Sequence, residues 1–98
     1  MAASKTEGAV DPRVALAIFT REGCSEPRFW ANGPGDAYGR HEHRRPKVLF
    51  CLEGSIVFHT DDGEVALDAG DRIDLAPGTP HAATVGPSGC SCVEAWGS

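Results

Sequence analysis

From residue 28 to the C-terminus, stretches rich in Gly, Pro and Asp interrupt the chain too often for any long helix. "GPGD" at 33–36, Asp61-Asp62-Gly63, "AGD" at 69–71, "PGTP" at 77–80 and "GPSG" at 86–89 all have turn chemistry. Between them lie runs carrying β-branched and aromatic residues: "RFWAN", "AYGRHEH", "KVLFCLEG", "SIVFHT", "EVALD", "RIDLA", "HAATV" and "CSCVEAW". Asp61-Asp62-Gly63, flanked by two such runs, is a hairpin signal. About seven or eight short strands joined by such turns describe an all-β sandwich or barrel.

Upstream the signals change. "MAASKTEGAV" has no apolar period, so residues 1–10 are expected to be a disordered terminus and residues 11–98 a single domain. Asp11 as an N-cap, Pro12 in the first turn and Gly23 at the far end punctuate a short helix. Val14, Ile18 and Phe19 suit a strand equally well, and the period alone does not separate the two.

Composition excludes several function classes. At 41% apolar and 23% charged, the 98-residue chain can build a core, unlike a disordered one. That core is thin, since a chain this size buries only about 60–65% of its unfolded surface, and pairing as a homodimer is expected to extend it. Nine Lys and Arg against fourteen Asp and Glu give a net charge of −5, which argues against a nucleic-acid partner. The apolar run Val14–Phe19 is too short for a signal-peptide core or a membrane span. The expected location is therefore cytoplasmic, with Cys24, Cys51, Cys90 and Cys92 reduced. Cys90-x-Cys92 has no second pair at zinc-finger spacing and reads as small apolar residues on one strand face.

The chemistry concentrates in "GRHEHRRPK". On a strand, residues i and i+2 share a face, so His41 and His43 project together with Glu42 opposite. Two such imidazoles can hold one divalent ion, at about 2.0–2.1 Å for zinc. The third ligand must come from elsewhere, and His81 and His59 are the candidates. Lys47 stands where a carboxylate would be the natural partner.

These residues resemble the two motifs of the cupins, G-x5-H-x-H-x3,4-E-x6-G and G-x5-P-x-G-x2-H-x3-N. In "HEHRRPKVLFCLEG", His41 and His43 match, Lys47 takes the glutamate position, and Gly54 closes the motif. Pro34-Gly35 stands upstream, as is usual. In "GDRIDLAPGTPHAATV", Gly70, Asp71, Pro77, Gly78 and His81 fit, with Ala76 and Val85 departing from the usual proline and asparagine. The resemblance spans residues 28–96. It implies a double-stranded β-helix, or jelly-roll barrel, with room for a short N-terminal helix. It also implies that His41, His43 and His81 are metal ligands. Imidazoles suit Zn, Fe, Ni and Cu alike, and with Mn as a further candidate the ion is left open. The family includes dioxygenases with three-histidine sites, isomerases, sugar-binding regulator domains, storage proteins and metal-free members, so fold alone does not choose an activity.

Lys47 is the departure that matters. An ammonium about 6 Å from a divalent ion is repelled by roughly 5 kcal/mol at an effective dielectric near 20. Four arrangements relieve this: a neutral lysine, a turn towards Glu53 or another carboxylate, an anion lying between the two, or no metal. The third makes a positive pocket suited to a carboxylate or phosphate, with Lys47 as its ligand-binding residue. The expected function is thus a three-histidine metal site accepting a small anionic ligand, with oxygenase- or isomerase-type chemistry if it is an enzyme. The alternative is a non-catalytic ligand-binding or sensor module, with or without metal. His59 is expected to be an exposed strand residue, and Cys51 a small core residue. Tyr38, Phe29, Phe50, Trp30 and Trp96 are expected in the core, with one or two at the cavity mouth as the alternative, and Asp71 and Arg72 at a turn and the surface.

Overall fold

In the computed structural model, residues 3–8 and 10–97 are described. The elements in chain order are β1 (Ala3–Thr6), α1 (Pro12–Arg21), β2 (Arg28–Asn32), β3 (Ala37–His41), β4 (Lys47–Thr60), β5 (Gly63–Asp68), β6 (Arg72–Leu75) and β7 (His81–Trp96). All strand pairs are antiparallel.

Two long strands organise the sheet. β4 and β7 pair from Lys47↔Trp96 to Thr60↔His81, but their two halves take different neighbours. The first half of β4 pairs with β6, and through it β1, while the last half of β7 pairs with β2. The second half of β4 pairs with β5, and the first half of β7 with β3. The sheet therefore wraps into two facing halves that share β4 and β7, which is the expected jelly-roll barrel. The Asp61-Asp62 turn closes the β4–β5 hairpin as its sequence predicts.

Alternation along the strands sorts side chains between two cores. Leu49, Cys51, Ile56, Phe58, Leu67, Ile73, Leu75, Val85 and Cys92 fill the barrel interior. The intervening Val48, Phe50, Val93 and Ala95 face outwards and are covered by α1 through Ala15 and Phe19. Phe19 and Phe50 meet edge to face with ring centroids 5.4 Å apart. The helical alternative for residues 12–21 is the one that forms. The Asp11 carboxylate accepts the Val14 N–H at 2.9 Å, and Ala15 and Phe19, four apart, make the buried stripe. Arg72 clasps the helix end to the sheet, donating to both Glu22 oxygens at 2.7 Å and to Asp74 at 2.8 and 2.9 Å.

Four sequence expectations are corrected. Residues 1–10 are not uniformly disordered: Ala3–Thr6 pair with β6, while Met1, Ala2 and Ala9 lie outside the described residues. A backbone can cover the open edge of β6 without an apolar period of its own. Asp71 is buried rather than on the surface, accepting N–H groups from Gly8 at 3.3 Å and Asp68 at 2.9 Å, with Lys5 Nζ at 3.6 Å. "KVLFCLEG" and "SIVFHT" form one strand, and so do "HAATV", "GPSG" and "CSCVEAW", because Gly54 and Gly89 let the chain bend without breaking its pairing. Finally, Phe29, 56% exposed on the edge strand β2, and Tyr38, 39% exposed on β3, do not lie in the core.

Candidate metal centre and pocket

Register brings the histidines together. In the β3–β7 ladder His41 lies directly opposite His81, and the ring centroids are 4.3 Å apart. β3 ends at His41, so strand alternation alone does not place His43. Its position is set by the turn that precedes His81: the Gly78 N–H donates to the His43 carbonyl at 2.7 Å. The His43 ring then sits 4.8 Å from that of His41 and 5.3 Å from that of His81. One ring nitrogen from each of the three lies within 4.8 Å of the others. His59 is elsewhere, bonded to Glu64 at 2.8 Å and Thr84 at 2.9 Å.

Backbone carbonyls orient two of the rings. His41 Nδ1 faces the Gly39 carbonyl at 2.7 Å, and His81 Nδ1 faces that of Thr79 at 2.9 Å. A carbonyl only accepts, so each Nδ1 carries a hydrogen, which in the neutral ring leaves the lone pair on Nε2. His43 Nε2 is buried with no hydrogen-bond partner among the described residues. A buried polar atom left unpaired is costly, and a cation shared by the three rings would satisfy it. Two nitrogens on one tetrahedral ion lie about 3.4 Å apart, so small ring rotations would complete the set.

Burial, with Lys47 and the other two histidines adding to it, pushes the His43 imidazole down to about 4. Burial also lowers His81, opposed by its bond to Thr79. Both rings are therefore neutral at neutral pH, the form that binds metal. The unfolded chain takes up a proton on His43 near pH 6.5, whereas the folded chain resists until about 4. This contribution to stability is complete above the unfolded value and is lost as pH falls through the folded one. In metal-free protein, the urea midpoint is expected to fall between pH 6.5 and 4, and His43→Gln to flatten that slope. An unchanged slope in the variant would show that His43 is not the group responsible.

Lys47 points into the barrel, but it is not alone. Its Nζ lies 3.1 Å from Glu94 Oε2, with the two side chains 12% and 14% exposed. The other Glu94 oxygen accepts the Trp30 indole N–H at 2.8 Å. Lys47 Nζ also stands 5.0 Å over the Trp96 ring, which in turn meets His43 edge-on at 5.1 Å. Of the four arrangements open to this lysine, the structure has the second, with Glu94 as partner rather than Glu53. Glu94 supplies a carboxylate from β7 next to the place where the motif lost one on β4.

A cavity of about 290 Å³ opens beside these groups. Trp30, Tyr38, Leu49, Ile56, Phe58 and Ala83 form its apolar wall, and His41, His81, Lys47, Glu94 and Arg28 its polar groups. Arg28 sits opposite Glu94 in the β2–β7 register and has no ion pair among the described residues. Sequence reasoning missed both Arg28 and Glu94. The parity of Glu94 with Cys90, Cys92 and Trp96 was the available signal for it. For Arg28 there was none, since its approach depends on a pairing 66 residues away in the chain.

The family described as the cupin domain matches residues 29–93. No curated protein matches the chain significantly. Among solved structures, an RmlC-like cupin from Shewanella frigidimarina is 24% identical with a TM-score of 0.65, covering 72% of this chain and 63% of that one. A cupin superfamily protein from Desulfitobacterium hafniense is 14% identical with a TM-score of 0.68, covering 97% and 76%. A DMSP lyase from Ruegeria pomeroyi is 22% identical with a TM-score of 0.68, covering 74% and 37%. The chain thus spans less than two thirds of the length of the first of these proteins. No helix among the described residues is long and apolar enough to cross a membrane.

Proposed function

Because this chain belongs to the cupin family, matched over residues 29–93, we propose that His41, His43 and His81 hold a divalent metal ion beside a pocket for a small anionic ligand. The observation that carries this is the meeting of three rings around a buried, unpartnered His43 Nε2. An ion held there would supply Lewis-acid polarisation of a ligand oxygen. The chain's own groups do the rest. Gly39 and Thr79 fix two rings in the metal-binding tautomer. Glu94 neutralises Lys47 and so removes most of the repulsion that an ammonium would exert on a cation.

The anionic ligand then has a preferred anchor. Lys47 lines the pocket already paired, whereas the Arg28 guanidinium offers its planar fork unpaired. That fork matches a carboxylate or phosphate bidentately. Trp30, Ile56 and Phe58 suit an apolar body between anchor and metal. Oxygenase- and isomerase-type reactions are the activities to assay.

The test is elemental analysis of tag-free protein with calorimetric titration of the stripped protein by Zn, Fe, Ni, Mn and Cu ions. We expect close to one ion per wild-type chain and less than about a tenth of that in a His41→Ala/His81→Ala variant. Equal metal in both proteins, or none in either, overturns the metal site. In the second case a metal-free ligand-binding module takes its place.

A further inference from the structure

Three of the four cysteines converge on the barrel floor, away from the histidines. Cys51, Cys90 and Cys92 are buried to 0%, 5% and 1% exposure and belong to the same interior core. Cys51 lies opposite Cys92 in the β4–β7 register. Its backbone bonds all go the other way: its N–H donates to the Asp71 carbonyl at 2.9 Å, and its carbonyl accepts from Gly70 at 2.7 Å. In an antiparallel sheet a residue's N–H and C=O point to the same side. Towards β7, therefore, Cys51 and Cys92 are a non-hydrogen-bonded pair, whose Cα atoms approach to about 4.5 Å. That lies inside the roughly 4.4–6.8 Å range that a disulfide spans. The Cys51 thiol donates to the backbone carbonyls of Glu53 at 3.4 Å and Gly54 at 3.8 Å. Cys90 Sγ stands 3.9 Å from Cys92 Sγ. It also lines a second cleft of about 280 Å³ with Asn32, Glu53, Gly54 and Ser88.

We propose that Cys51 and Cys92 are an oxidation site that closes to a disulfide when a hydroperoxide reaches the cleft at Cys90. The Cys90 sulfur takes one peroxide oxygen, becoming a sulfenic acid and releasing an alcohol, or water from hydrogen peroxide. Cys92 attacks this sulfur, and its proton leaves with the departing hydroxide as water. The Cys51 thiol then attacks the Cys92 sulfur, its proton going to the departing Cys90 sulfur, which returns to the reduced form. In sum, two thiols lose two protons and two electrons, and the peroxide O–O bond is reduced. The intermediate is the less stable bridge. Residues i and i+2 on one strand are about 6.6–6.8 Å apart, at the limit of disulfide geometry, whereas the cross-strand pair is within it.

The experiment treats wild-type protein with hydrogen peroxide, blocks free thiols and maps the peptides by mass spectrometry. We expect a loss of about 2 Da and a Cys51–Cys92 cross-link that dithiothreitol reverses. Cys24→Ser should behave as wild type, Cys92→Ser should form no cross-link, and Cys90→Ala should form it at least about tenfold more slowly. Sulfinic or sulfonic acid on Cys90 without a cross-link overturns the proposal. So does a cross-link through Cys24, or an undiminished rate in Cys90→Ala. The wild-type map decides the matter even if a variant does not fold.

Discussion

Gly54→Ala is expected to cost at least about 3 kcal/mol, a large share of the roughly 5–15 kcal/mol that holds a domain of this size together. Two penalties combine. Gly54 has φ +72°, where an L side chain costs about 1–2 kcal/mol. A Cβ there would also lie 1.9 Å from the Gly89 carbonyl oxygen and 2.8 Å from its carbon. Both are backbone atoms of β7, so no rotamer change relieves the contact. β4 and β7 would have to part at the bend shared by the two halves of the barrel. Gly35→Ala is the control, since Gly35 has φ +74° but no atom within 4 Å of the added methyl. It should cost only about 1–2 kcal/mol. Urea unfolding followed by circular dichroism measures both, and equal losses would show that β7 absorbs the methyl.

The second large effect belongs to Glu94. Glu94→Ala leaves the Lys47 ammonium 12% exposed with no carboxylate, and the Trp30 indole with no acceptor. Breaking one side of a buried ion pair typically costs about 3–5 kcal/mol. A Lys47→Met/Glu94→Leu double variant removes both charges and should recover to within about 1–2 kcal/mol of wild type. The same logic reaches the proposed metal centre. Glu94→Gln keeps the shape but leaves the ammonium uncompensated beside the three rings. It should weaken metal binding at least about tenfold, as read by calorimetry. Metal affinity equal to wild type would mean that Lys47 lies outside the electrostatic reach of the centre.

Much of this is legible in the sequence. Asp11 and Pro12 marked the start of α1, and the Gly/Pro/Asp turns marked an all-β chain. The two motifs brought His41, His43 and His81 together and set His59 apart. Hidden were the facts that depend on register between distant strands. Nothing local in "MAASKTEGAV" says that Ala3–Thr6 will cover β6, because the gain comes from backbone pairing. Nothing near Gly54 says that it must slip past Gly89, 35 residues away, so β4 and β7 were each read as two strands. For Lys47, a turn towards a carboxylate is one of the arrangements the sequence leaves open, but the partner on β7 cannot be chosen without the ladder. Phe29 shows the converse, a residue apolar enough for a core but placed on the outside of an edge strand.

The chain has two tryptophans, and both touch the polar end of the pocket. Trp30 donates its indole N–H to Glu94, and Trp96 has Lys47 at 5.0 Å and Arg45 at 5.4 Å from its ring, with His43 against its edge. Indole emission responds to nearby charge and to electron-transfer quenchers, and here no other indole exists to dilute the signal. The light emitted by the whole protein is therefore the light of this one corner, a built-in optical gauge of what the pocket contains.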